Sequence, residues 1–426
     1  MSFETMQLSR KKRCLIVSEN IRLGGGPPGY LFHLRNGLLE IGVNDILFFR
    51  TKKKYKLNVK QNGSFSSLSF FDKVKPRISS LLNRLIANRV VLQTNIELIL
   101  LFRDYKQTIK ILDSLLMTFE ISVIHFHDPL LLFFFKKYST SNKKILLLTW
   151  HSPSGIHERL TEIQNPNQAR DYRIASKLLE FMHVKCFKYA DYFVVPSLHC
   201  FDGYIKYTKK LRPLILQEKI KIVLTGIDDS FIKATKSRDE FLQSIDVSPD
   251  KRIISFIGRG HTDKGYDLFL KVAKRLENDD RFIFLKSGDL YNKILNNAPN
   301  NLRILGWIDN VYDLVNATDV IMNPNRNCFF DILVLECLAL GRIVLSTKVG
   351  GHIEYERLTK GVFLARPEVQ DLVSTLLRIV DLPEQTIHKL QEENHLTFIN
   401  TFRSRQFATE YSKMINEILK ERHLNA

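Results

Sequence analysis

The chain has 426 residues, 44% of them apolar and 25% charged, more than one ordinary core needs, and divides into two domains of roughly 200 residues each. A formal charge of +18 calls for an anionic partner, membrane or nucleic acid. The five cysteines (Cys14, Cys186, Cys200, Cys328, Cys337) are odd in number and lack zinc spacing, which argues against a disulfide framework or structural metal and for a reducing, cytoplasmic setting.

The polar N-terminus has no signal-peptide core, and the longest apolar runs, such as Pro129–Phe135, are too short to span a bilayer. Cys14–Ser18 reads as a first strand, followed by the loop Leu23-Gly-Gly-Gly-Pro-Pro-Gly-Tyr30 and an apolar helix through Leu31, Leu34, Leu38 and Leu39. Gly24, Gly26 and Gly29 match the dinucleotide spacing formally. Pro27 and Pro28, however, remove N–H donors, and no acidic residue ends a second strand. A phosphate or sugar approaching Gly25 and Gly26 at the helix start is one reading, and a ligand-free tight turn is the other.

Between Thr51 and Leu112 there are thirteen basic residues against three acidic ones. Lys52, Lys53, Lys54, Arg84 and Arg89 lie beside Phe70-Phe71 and the helically spaced Leu81, Leu82, Leu85 and Ile86, the mix of a helix resting on anionic headgroups. A solvated basic face over an ordinary core helix is the alternative.

Further strands are expected at Val123–His127, Lys144–Thr149, Asp191–Pro196 and Lys221–Thr225, with a helix over Asp171–Tyr189. His125 and His127 alternate on one strand and so share a face, without a third metal ligand nearby in sequence. His151 follows a strand at its carboxyl end, where ligands bind in open parallel sheets. After a polar, charged stretch at Asp228–Pro249 the pattern restarts at Arg252–Gly258, Arg281–Lys286, Leu302–Leu305, Asp319–Met322 and Arg342–Ser346. The expected fold class is α/β, with two Rossmann-like doubly wound domains.

In the second half, Gly258-Arg-Gly-His-Thr-Asp-Lys-Gly265 puts Arg259 and Lys264 on a loop between a strand and a helix. Fixed cations there can hold the charge of a departing diphosphate. No D-x-D triplet occurs. Downstream, Asn323-Pro-Asn-Arg-Asn-Cys-Phe-Phe-Asp-Ile leads into a helix whose Glu336 can accept two hydrogen bonds from a vicinal diol. Asp331 either orients a sugar or simply caps the helix.

These segments, with Val349-Gly-Gly-His-Ile-Glu354, resemble the family-four (group 1) GT-B glycosyltransferases. The resemblance implies an acceptor domain at 1–228, a nucleotide-sugar domain at 229–402 across a cleft, and a final helix, within 403–426, crossing back to the first domain. It implies catalysis by Arg259, Lys264, His151 and Asp331, and donor binding by Glu336, Gly258, Asn325, Arg326, Gly350, Gly351, Glu354, Gly25 and Gly26. One departure stands out: Cys328 occupies the place of the first carboxylate of the family's pair. A thiol cannot accept charge-assisted bonds from sugar hydroxyls, so donor-sugar recognition must differ or must use Asn325, Arg326, Asn327 or Asp331 instead.

The implied activity is metal-independent, cofactor-free, retaining transfer from a nucleotide-diphosphate sugar to a lipid-linked or cell-surface glycan. It would take place at the inner membrane face, with homo- or hetero-oligomers left open. The rival reading is a catalytically silent GT-B-like subunit supporting an active transferase or its acceptor. A nucleic-acid partner is not expected, because no helix-turn-helix, RNP-type aromatic run or zinc module accompanies the charge.

Overall fold

The computed structural model describes residues 10–51, 79–141, 143–152, 173–289 and 298–424, with backbone alone for 79–98, 173–175, 207 and 423. The chain divides into two compact units. One comprises Met1–Asn20, Asp45–Val194 and Tyr204–Ile220; the other comprises Ile21–Asn44, Val195–Gly203 and Lys221–Ala426.

The first sheet is built from β1 (Lys11–Ser18), β2 (Ile46–Arg50), β3 (Glu120–Phe126), β4 (Ile145–Leu148), β5 (Tyr192–Val195) and β6 (Ile220–Ile222), in the order β2-β1-β3-β4-β5-β6. Its central strands are nearly continuous apolar runs, as strands covered on both faces require. The helices Pro129–Tyr138 and Arg173–Tyr189 pack together in this unit. Asp128 caps the first of them, accepting from the amides of Leu130 and Leu131. Of the basic-and-apolar stretch read from sequence, residues 79–112 lie on one long helix, Ser79–Thr118, and residues 52–78 lie outside the described residues. Along its described part Ile99, Ile111 and Met117 are exposed beside Arg103, Lys106 and Lys110.

The second sheet takes β7 (Arg252–Ile257), β8 (Phe282–Ser287), β9 (Leu302–Gly306), β10 (Val320–Asn323), β11 (Val344–Thr347) and β12 (Val362–Ala365), in the order β12-β11-β10-β7-β8-β9. One face buries Phe269, Val272 and Ala273 of the helix Tyr266–Arg275 and Leu372 and Leu376 of the helix Val369–Val380. The other buries Phe241 and Leu242 of the helix Arg238–Ser244 and Leu314 and Ala317 of the helix Val311–Ala317. Helices on both faces make the sheet doubly wound. Phe269 is fully buried between strands and helices, a position where truncation to alanine costs about 3–5 kcal/mol.

β2 and β12 fall outside the strands expected from sequence. β2 follows the turn at Gly42–Asp45 and β12 follows Gly361, and both are short apolar runs like the strands that were expected. The last helix, Ser404–Leu424, packs on the helix Pro27–Glu40. Tyr30 and Phe407 meet edge to face at 4.9 Å, and a Cβ on Gly37 would lie 2.0 Å from the Ser404 carbonyl oxygen, so a glycine is needed for this close approach.

Candidate functional site

Parallel strands end on one edge of a sheet, and helix N-termini begin there, so polar side chains collect at that edge. In the second unit they do so around Asp331. It caps the helix Ile332–Ala339, its Oδ1 accepting from the Leu333 amide. Its Oδ2 accepts from Lys264 Nζ at 2.8 Å and from Asn325 Nδ2 at 2.8 Å, with Asn323 Nδ2 at 3.4 Å. Burial would raise the Asp331 carboxyl, but the charge of Lys264 and these hydrogen bonds outweigh it and hold it well below the usual carboxylate range. Burial likewise pushes the Lys264 ammonium down; Asp331 more than reverses that, so Lys264 ends above its ordinary value.

His352 completes the cluster. Its Nδ1 lies 2.8 Å from Ser346 Oγ and 3.3 Å from the Thr347 carbonyl oxygen, and burial lowers it to about 4, so it is neutral near pH 7. Among the described residues, Cys328, Asp331 and His352 bring one ligand atom each within 4.8 Å of one another, a grouping of metal-ligand types not expected from sequence. The Lys264 ammonium already supplies the positive charge that Asp331 faces. The Cys328 thiol is buried and pushed far up by that burial and by Asp331.

Five residues along the helix from Asp331, Glu336 faces a cavity of about 360 Å³ lined also by Gly24, His33, Asp228, Asn310 and Tyr312. Tyr312 Oη donates to Glu336 Oε1 at 3.3 Å. Burial raises Glu336 to about 7, although the Tyr312 bond pulls the other way. Near pH 7 this carboxylate therefore exchanges readily between acceptor and donor roles.

The remaining expected residues are placed less directly. Gly258 directly follows β7 and precedes the exposed Arg259, whose charge is felt at Lys264. Arg326 turns to Asp267 at 2.5 Å. Glu354 is held by Ser197 Oγ at 2.7 Å and Arg357 Nε at 2.6 Å. Gly350 and Gly351 pack under the Cys328–Phe329 backbone: a Cβ on either would lie 1.8 or 1.9 Å from the carbonyl oxygens of Cys328 and Phe329. Gly25 and Gly26 border open space before the helix Pro27–Glu40. Lys52, Lys53 and Lys54 lie outside the described residues, and of Arg84 and Arg89 only the helical backbone is described.

The first unit holds its own polar group. His127 Nδ1 meets His151 Nε2 at 2.8 Å, and His125 Nε2 meets Thr149 Oγ1 at 2.8 Å. Thr149 donates onward to the Val194 carbonyl at 2.6 Å, so it accepts from His125. Burial lowers all three histidines, His125 and His151 to about 3, and they are neutral at physiological pH.

Residues 251–381 match the model of the family described as glycosyl transferases group 1. This segment is similar to that family. It carries β7 to β12 with Arg259, Lys264, Asp331 and Glu336. A Klebsiella pneumoniae protein named for the cps region is 28% identical over 35% of this chain and 41% of its own length, so the match spans less than half of that relative. An Escherichia coli O-antigen biosynthesis glycosyltransferase, WclY, is 22% identical over 59% of this chain and 74% of its own. Anabaena HepE, solved with UDP, aligns with a TM-score of 0.58 at 13% identity over 95% of this chain and 100% of that one. The fold is thus the GT-B one, two parallel six-stranded sheets with helices.

Within the group 1 segment, sequence reasoning singled out Arg259, Lys264, Asp331 and Glu336 but not Tyr312, Asn323 or His352. Only the position of His352 directly after the Gly350-Gly351 pair could have flagged it. Tyr312 lies 24 residues before its partner, on another helix, and nothing local signals the pairing.

Proposed function

We propose that the protein transfers a sugar from a nucleoside-diphosphate donor to a lipid-linked or cell-surface glycan acceptor, with retention of configuration and without metal or other cofactor. The observation that carries this reading is the sequence of groups along one strand-to-helix edge. Cations Arg259 and Lys264 come first, then the ion-paired Asp331, and one turn further Glu336 at the wall of a cavity of nucleoside size.

Glu336 accepts hydrogen bonds from the ribose diol, with Tyr312 holding its other side. Lys264 and Arg259 take up the diphosphate charge as the anomeric C–O bond breaks. The acceptor hydroxyl oxygen then bonds to the anomeric carbon, and its proton passes to the leaving phosphate oxygen. Asp331 is held by Lys264 and Asn325 on one oxygen and by the Leu333 amide on the other. Such an anchored carboxylate suits orienting the sugar rather than attacking it, which favours front-side displacement. It also offers the acceptor group that Cys328 lacks. His151 would hydrogen-bond donor or phosphate in its neutral form.

The WclY relative acts in O-antigen biosynthesis and HepE was solved with UDP, which supports a UDP-sugar donor and a surface-glycan acceptor. The exposed Ile99, Ile111 and Met117 interleaved with Arg103, Lys106 and Lys110 support contact with an anionic membrane surface. Among the described residues no helix is long and apolar enough to cross a membrane.

A thermal-shift screen against UDP, GDP, ADP, CMP and their sugars tests this. One diphosphate should raise the melting temperature and do so much less in Lys264→Ala. No shift with any of them would leave the silent-subunit reading.

A further inference from the structure

Lys286, the residue before the end of β8, is a fully buried lysine. Its Nζ donates to the carbonyl oxygens of Gly258 (2.9 Å), Ser287 (2.9 Å), Gly288 (2.6 Å) and, longer, Asp289 (3.3 Å). The rings of Phe256 and Tyr266 flank it at 5.8 and 5.7 Å from Nζ to ring centroid. An ammonium has three protons and no acceptor, so a nest of carbonyls with aromatic walls is the environment that satisfies it without a counter-ion.

The carbonyls it gathers belong to the ends of two adjacent strands. There the Gly258 amide donates to the Ser287 carbonyl at 3.0 Å and the Gly260 amide to the Asp289 carbonyl at 2.7 Å. Gly288, at φ 96°, lets the two turns touch: a Cβ there would lie 2.6 Å from the Gly258 oxygen. Arg259 is carried between these two anchored residues.

We propose that Lys286 is a positioning residue for the donor diphosphate, clamping the carbonyls of Gly258, Ser287, Gly288 and Asp289 so that the loop bearing Arg259 is fixed, with a buried positive charge beneath it. This rests on the reading of that loop as the diphosphate site. Because carbonyl oxygens would otherwise face the loop's underside, the ammonium also cancels dipoles that would repel an anion.

Burial lowers Lys286 to about 8 while the charge of Asp289 opposes the drop. Asp289 is the charged group that acts on it, and Tyr266, whose ring flanks it, is raised by burial. Lys264 lies above its ordinary 10.5. Between pH 7.5 and 9.5 Lys286 is thus the lysine of this site that loses its proton.

The test uses the full chain and calorimetric titration with UDP, GDP and ADP and with the matching nucleosides. The subjects are the wild type, Lys264→Ala and Lys286→Met. The expected result is one diphosphate bound by the wild type, weakened about tenfold in Lys286→Met, with the nucleoside affinity unchanged. A folded Lys286→Met that binds the diphosphate like the wild type, while Lys264→Ala is weakened, overturns this inference alone. If neither variant is weakened, or the wild type binds no diphosphate, the diphosphate-loop reading falls and this inference with it. Should Lys286→Met fail to fold, the wild type decides. Its ratio of diphosphate to nucleoside affinity should fall severalfold from pH 7.5 to 9.5, Glu336 and the base cancelling in the ratio, and a flat ratio overturns the proposal.

Discussion

The histidine group of the first unit and the Lys264–Asp331 cluster of the second bury polar side chains in different ways. His125, His127 and His151 have no opposite charge among the causes of their shifts, so burial, joined at His125 and His127 by repulsion from the neighbouring histidines, drives them neutral and they persist as hydrogen-bonded imidazoles. Asp331 and Lys264 face the same burial, but each supplies the other's countercharge, and both stay ionised. Burial therefore selects for neutrality or for pairing, depending on whether an opposite charge lies within hydrogen-bond reach. Only the paired cluster can meet a diphosphate with a fixed charge.

The sharpest break in that contrast is Lys264→Ala. With the cation gone, transfer from the donor should slow by about 100-fold or more in a sugar-transfer assay. Asp331→Ala leaves Lys264 without its carboxylate and should cost roughly 2 kcal/mol in chemical denaturation, a value set below that of a fully buried pair because Lys264 is about one-third exposed. That loss should shrink as pH falls well below 4, since the stability owed to a carboxyl of depressed pKa is present above its ordinary range and disappears as acid protonates it.

Glu336 behaves with the opposite sign. Its value rises from an ordinary 4.5 to about 7 on folding, so the stability it contributes is fully present below pH 4.5 and is lost as pH rises through 7. Glu336→Gln should remove this dependence, so that its melting temperature gains on the wild type between pH 5 and 8. His127→Ala deprives His151 of its 2.8 Å partner and should cost about 1–2 kcal/mol, with little change between pH 6 and 8 because the group is neutral throughout. Arg326→Ala, breaking a partly exposed pair with Asp267, should cost under about 1 kcal/mol.

Much of the scaffold was legible beforehand because buried parallel strands leave dense apolar runs. Arg252–Ile257 and Ile145–Leu148 are almost wholly apolar, and their helical neighbours carry spaced hydrophobic residues. β2 and β12 were missed although each is an apolar run at least as long as Ile145–Leu148. The loop cations Arg259 and Lys264 and the helix residue Glu336 were readable, since each sits at a fixed offset from a strand end or helix start. Gly350 and Gly351 were readable as special positions, but their close approach to the Cys328–Phe329 backbone was not, because it joins turns about twenty residues apart.

By itself, then, the sequence determined the alternation of strands and helices and the charge of the loop after β7. Those properties are local: each depends on neighbours within a few residues. The tertiary structure decided which charges are paired and which polar groups are neutral. It joined Lys264 to Asp331, Tyr312 to Glu336, His127 to His151, and Lys286 to the carbonyls of two strand ends. Protonation depends on burial and on the nearest charge in space, and the folding of distant segments onto one sheet edge sets both.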